Sequence, residues 1–180
     1  KNKIEKSHFV GISLGSILIQ QMLQTHNDRV EKIGLGGAIL NLNLQSRLLM
    51  FLGKLTQSIL PFIWIYTFFA YVIMPYKAHR HSRALFIKEA KKLSQNEFKR
   101  WYKLTANILP LLERIRKHEV LAPTLYIMGK EDYMFLPFVK EIVQLRQSSS
   151  LITVLNSGHV VNIDQPELFN KHLLKFLLKD

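Results

Sequence analysis

Apolar and polar positions follow two rhythms along this 180-residue chain. Ser7 to Val10 is a short apolar run closed by Gly11, the signature of a buried strand end. Leu14 to Leu23 carries apolar residues at helical spacing, with Gln20, Gln21 and Gln24 on its polar side. This predicts a helix ending near His26-Asn27-Asp28. Val30 to Leu35 reads as a second strand, stopped by Gly36-Gly37. Strand, sharp turn, helix and strand make a βαβ unit of a parallel sheet. From residue 40 to about 112 the strand signal vanishes. Leu42–Leu60 (interrupted by Gly53), the very apolar Phe62–Met74 and the basic amphipathic stretch Lys77–Leu112 predict helices punctuated by Pro61, Pro75 and Pro110. The sheet rhythm then returns. Thr124–Met128 and Leu151–Leu155 read as strands, Pro137–Arg146 and Pro166–Leu178 as helices, with loops at Gly129–Asp132 and Asn156–His159.

Composition narrows the class. With 48% hydrophobic and 21% charged residues, 8 Gly and 6 Pro, the chain is globular and long enough for one sizeable core. The absence of cysteine excludes disulfides, thiolate metal sites and cysteine nucleophiles; it fits a reducing compartment, and a cytoplasmic location is expected. The opening residues KNKIEKSHFVG begin at Lys1 and run straight into a strand, so the chain reads as cut from something longer. Net charge is +12, from 25 basic and 13 acidic residues, but the basic residues are spread along the chain without a nucleic-acid-binding motif. A solvated basic surface, and no nucleic-acid partner, is the expectation. Ile59–Met74 falls short of the roughly 20 residues of a membrane span and contains Pro61. A buried or interfacial helix fits it better, and the basic residues after it leave peripheral contact with anionic lipid open. His79 and His81 flank Arg80 without accompanying carboxylates, which reads as a basic loop; no metal and no cofactor are expected.

Three places carry chemistry. Gly11-Ile12-Ser13-Leu14-Gly15 matches G-x-S-x-G, in which a serine sits on a strained turn between a strand and a helix. Small residues two before and two after let the backbone pass closely, and the following helix points N–H groups at developing negative charge. The Leu14 N–H is the expected oxyanion donor. A serine hydroxyl also needs a base and a carboxylate to orient it. Asp132 follows one predicted strand and His159 the next, both at strand carboxyl ends, in the order Ser, Asp, His. An ordinary glycine-rich turn, a capping Asp and a solvated His are the competing readings of each piece taken singly. Type, order and placement together favour the catalytic reading.

On these residues the chain resembles the α/β-hydrolase family. FVGISLGS is similar to the family's elbow, APTLYIMGKEDYMFLP to its penultimate core strand and acid loop, and LNSGHVVNIDQPELFNKHLLKFL to its histidine loop and last helix. The resemblance implies an α/β-hydrolase fold, three-layered with a mostly parallel sheet. Residues 1–39 and 113–180 would form a partial core, and 40–112 a helical cap. It selects Asp132 over its neighbour Glu131 as the acid, and leaves Glu131 to solvent or to capping the next helix. Ser16 stands where many relatives have glycine and reads as tolerated variation. The family's strands ahead of the elbow, and the loop supplying the second oxyanion donor, have no counterpart in the sequence. The elbow strand would then have an edge that is open or, as its apolar character favours, filled by another chain, a second copy or a segment absent from this sequence. The implied activity is hydrolysis of a small hydrophobic ester or acyl compound through an acyl-serine; the aromatic-rich cap suits such a substrate. The rival is a non-catalytic or inactive hydrolase-fold module that binds a partner or lipid.

Overall fold

The computed structural model describes residues 3–104 and 107–179. Its elements are β1 (Ser7–Ile12), α1 (Leu14–His26), a 3-10 turn (Asn27–Arg29), β2 (Val30–Gly36), α2 (Leu44–Thr56), α3 (Phe62–Ile73), a second 3-10 turn (Lys77–His79), α4 (Arg80–Ala90), α5 (Gln95–Leu104), α6 (Ile108–Lys117), β3 (Thr124–Gly129), α7 (Leu136–Leu145), β4 (Ser149–Val154), α8 (Val161–Asp164) and α9 (Pro166–Leu177). The four strands form one parallel sheet in the order β1-β2-β3-β4. Leu35 is in register with Gly11 on one side and Tyr126 on the other, and Tyr126 with Leu151.

Strand alternation sorts the core into two layers. Ile33, Leu35, Tyr126 and Met128 face one way and pack with Ile17 and Leu23 of α1, Ile115 of α6, and Val139 and Ile142 of α7. Leu125 and Ile127 face the other way, against Phe169 and Leu173 of α9. Each such apolar side chain contributes about 1.5–3 kcal/mol when fully buried. On this second face β2 carries Gly34 and Gly36. A Cβ at Gly34 would lie 2.3 Å from Leu173 Cδ1, and one at Gly36 2.8 Å from Phe169 Cε2, so the missing side chains are what let α9 lie directly on β2. Two cations finish helix ends, where free carbonyls and the dipole favour positive charge. Lys32 reaches the Phe176 and Leu177 carbonyls at 3.3 and 3.2 Å. Arg146 reaches those of Ile115, Arg116 and His118 at 2.8, 3.2 and 2.8 Å.

Between β2 and β3 the chain is helical, but the stretch Lys77–Leu112 is not one amphipathic unit. It divides into a 3-10 turn, α4, α5 and the start of α6. Ser94 and Glu97 explain the break before α5. The Ser94 N–H donates to Glu97 Oε2 at 2.7 Å and the Glu97 N–H to Ser94 Oγ at 3.2 Å, a reciprocal capping box. Pro110 lies in the first turn of α6 rather than between helices, where the missing N–H costs nothing. In α3 only Ile65 and Ala70 are fully buried, while Trp64, Phe68 and Tyr71 stand at the surface. Among the described residues no helix is long and apolar enough to cross a membrane.

Candidate active site

β1 ends by turning sharply into α1, and Ser13 is the turn. Its backbone has φ 50° and ψ −113°, a conformation that an L-residue adopts only when its surroundings enforce it. The Ser13 N–H donates to the Gly36 carbonyl at 2.9 Å, hooking the turn onto β2. A Cβ at Gly11 would sit 2.7 Å from Gly15 C and O, so the turn needs glycine there. Gly15 itself faces open space, which corrects the expectation that both glycines serve close passage. Leu14 opens α1, and its N–H belongs to the first turn, where helical N–H groups have no intrahelical acceptor.

The serine hydroxyl meets the loops after β3 and β4. Ser13 Oγ lies 2.8 Å from His159 Nε2, and His159 Nδ1 lies 2.9 Å from Asp132 Oδ2. Residues 146 and 27 positions apart in the chain thus form one continuous hydrogen-bonded line. Asp132 and His159 are 1% and 5% exposed, so the pair is shielded from water. An ionised Asp132 can only accept. Nδ1 therefore carries the ring proton, and Nε2 is left to accept from the Ser13 hydroxyl. The second Asp132 oxygen, Oδ1, accepts the Phe135 N–H at 3.2 Å, and the Phe135 ring packs on the imidazole with centroids 4.8 Å apart. The backbone of the histidine loop is pinned as well. Asp164 Oδ2 accepts the Gly158 N–H at 2.8 Å, and Glu131 N donates to the Ser157 carbonyl at 3.0 Å. A Cβ at Gly129 would lie 2.1 Å from Gly158 O, and one at Gly37 2.1 Å from His159 O, so both neighbouring strands approach the loop as bare backbone.

The alpha/beta hydrolase family profile matches residues 2–172. The chain belongs to this family. The fold of an alpha/beta hydrolase also places it among solved structures. A bromoperoxidase from Bacillus anthracis superposes with a TM-score of 0.77 at 18% identity, over 98% of this chain and 69% of that one. A carboxylesterase structure from the thaumarchaeon Nitrososphaera gargenis gives 0.72 at 18% identity, over 97% and 65%. The 2-hydroxy-6-oxo-6-phenylhexa-2,4-dienoate hydrolase of a Rhodococcus strain gives 0.68 at 16% identity, over 98% and 65%. In sequence, a putative 2-succinyl-6-hydroxy-2,4-cyclohexadiene-1-carboxylate synthase of Bacillus subtilis is 36% identical over 62 residues, which is 34% of this chain and 23% of that protein. The chain spans about two thirds of the length of the solved structures it matches, between 65% and 69% for these three.

Three residues of this alpha/beta hydrolase chain, Ser16, Glu131 and His79, make contacts that their sequence pattern does not disclose. Ser16 is fully buried. Its hydroxyl donates to the Ser13 carbonyl at 2.6 Å and accepts the Ile39 N–H at 3.0 Å, tying the serine turn to the segment after β2. Ser16→Ala leaves both groups without that bridge and is expected to cost about 1–3 kcal/mol, read as a lowered thermal midpoint. Glu131 does not simply face solvent, nor is His79 part of an open basic loop. His79 is fully buried, and its Nε2 lies 2.8 Å from Glu131 Oε2. The two meet across the gap between the helical segment and the acid loop. Neighbouring Tyr133 makes a second tie there, its hydroxyl donating to the Val72 carbonyl; burial pushes the pKa of that hydroxyl up.

Proposed function

We propose that this chain carries the reaction centre of a serine hydrolase that cleaves an ester or related acyl substrate. The observation that carries the reading is the unbroken line from Ser13 Oγ through His159 to Asp132, with both links under 3 Å. In the proposed reaction Ser13 Oγ attacks the acyl carbon while His159 Nε2 takes its proton. The oxygen that becomes negative lies toward the Leu14 N–H and the positive end of α1. Collapse of the tetrahedral species breaks the bond to the leaving alkoxide, which leaves as the alcohol with the proton from His159. Water then gives a proton to Nε2 and its oxygen to the acyl carbon; that proton returns to Ser13 as the acid departs. Asp132 keeps the imidazole in the tautomer this needs and balances the imidazolium charge.

An apolar substrate is favoured by a cavity of about 410 Å³ beside the serine turn, lined by Leu14, Ile17, Leu18, Tyr66, Trp101 and Ile108. Hydrolases and an esterase recur among the similar proteins, which supports hydrolysis over binding alone. A fluorophosphonate probe on the intact protein tests the reading. Covalent label located on Ser13 by peptide mass spectrometry is the expected result. Absence of label there, in folded protein, would favour the non-catalytic binding module.

A further inference from the structure

We propose that His79 is a positioning residue, which holds the Asp132 and His159 loops in register through its contacts with Glu131 and Gly158; this rests on the reaction proposed above. His79 comes from neither loop. It ends the 3-10 turn between α3 and α4, and no part of its side chain reaches solvent. Yet it touches the residue before each member of the pair. Its Nε2 is 2.8 Å from Oε2 of Glu131, the neighbour of Asp132. Its ring lies flat against Gly158, the neighbour of His159: a Cβ at Gly158 would be 2.6, 2.7 and 2.9 Å from Cε1, Nε2 and Nδ1.

The placement is built rather than incidental. The Tyr76 ring meets the imidazole edge-on with centroids 5.5 Å apart, and buried Ser82 donates from its hydroxyl to the His79 carbonyl at 3.0 Å. Met74 and Val160 are buried together, with Phe86, Ile87 and Ile163 packed on them, so the helical segment and the histidine loop share one apolar seam. A fully buried polar ring costs free energy unless a polar neighbour offsets it. Glu131 is the polar group the ring meets, at 2.8 Å though outside hydrogen-bond alignment, from the loop where Asp132 must stay within reach of His159. The Glu131 N–H in turn donates to Ser157, so a shift of Glu131 is passed to the histidine loop through the backbone. Displacing reacting groups by about 1 Å typically lowers turnover by up to ~10²-fold. That is the scale on which His79 should act, although it touches no reacting atom.

The experiment combines rate and spectroscopy on the intact protein. The His159 Nδ1–H shared with Asp132 should give a far-downfield proton NMR signal that global stability alone does not move. We expect folded His79→Ala to lose or broaden that signal, and to label with fluorophosphonate on the order of 10–100-fold more slowly than the parent. With a small ester kcat should fall while KM stays within about 3-fold, the mark of misaligned chemistry rather than weakened binding. His79→Gln, which keeps a donor near the Nε2 position, should recover most of the signal and rate. Gly158→Ala, whose methyl would strike the imidazole, should be slow by itself and faster when combined with His79→Ala. Should His79→Ala fail to fold, His79→Leu, which fills the site but offers Glu131 no polar group, takes its place beside His79→Gln in the same comparison. An unchanged Nδ1–H signal with labelling within 2-fold of the parent in folded His79→Ala or His79→Leu overturns the proposal. Failure of the parent to label at all would instead count against the hydrolase reading, and the NMR comparison would still decide the role of His79.

Discussion

Ser13→Ala and His159→Ala are each expected to lower ester turnover by on the order of 10⁴-fold or more, and the double variant to be little worse than either. The non-additivity follows from the geometry. With Nε2 2.8 Å from Oγ, neither group performs a step alone: the hydroxyl is a poor nucleophile without the base, and the base has nothing to activate without the hydroxyl. The two variants should differ in stability. Ser13→Ala removes one partly exposed hydroxyl and keeps the Cβ, so the strained turn is retained and the melting temperature should hardly move. His159→Ala empties a site packed on Phe135 and should cost about 2–4 kcal/mol. Steady-state rates with a short-chain ester, alongside thermal melts, check both. Turnover within 10-fold of the parent in folded Ser13→Ala would remove serine from the nucleophile's role.

Asp132→Asn is expected to cost about 10³–10⁴-fold without changing the fold. In the parent, Oδ1 accepts the Phe135 N–H and Oδ2 faces His159 Nδ1. An asparagine keeps the first bond with its carbonyl oxygen and so presents its NH₂ to Nδ1. Two donors cannot share that contact. The ring proton is driven to Nε2, where it blocks acceptance from Ser13. The loss therefore arises from one misplaced proton, and the stability of the variant should stay close to the parent. Glu131→Gln tests the competing carboxylate. Its Oε2 addresses His79, not His159, so its effect should be at least about 10-fold smaller than that of Asp132→Asn. The reverse ranking would mean that the acid had been assigned to the wrong neighbour.

How far the sequence discloses such a site depends on where each residue finds its partners. Ser13, Asp132 and His159 stand beside strand ends that apolar runs and glycines mark locally, and parallel sheets gather strand ends on one side. Gly11 was legible for the same reason, since its demand comes from Gly15 four residues on. The basic amphipathic pattern presents Lys77–Leu112 as one stretch, and the capping box at Ser94-Gln95-Asn96-Glu97 that divides it went unread. The short α8 left no pattern, being a single turn. Ser16 and His79 could not be read locally at all. Ser16 resembles a tolerated glycine replacement until Ile39, 23 residues later, is placed beside it. His79 looks like one of several basic residues until Glu131 and Gly158 close around it. Residues whose roles are fixed by contacts far away in the chain carry no short-range signature.

The docking of α9 on Gly34 and Gly36 has a consequence in time. The face of β2 that those glycines leave bare is completed only by a helix made some 130 residues later, judged from the Gly34–Leu173 and Gly36–Phe169 contacts. The Ser13–His159 contact spans 146 residues. At roughly 5–20 residues per second, a ribosome needs on the order of 7–30 s to travel between them. Throughout that interval the residues of the serine turn and of the glycine-lined strand have been made, while His159 and α9 have not. Neither the Ser13–His159 contact nor the second layer of the core can therefore close before the last part of the chain is made.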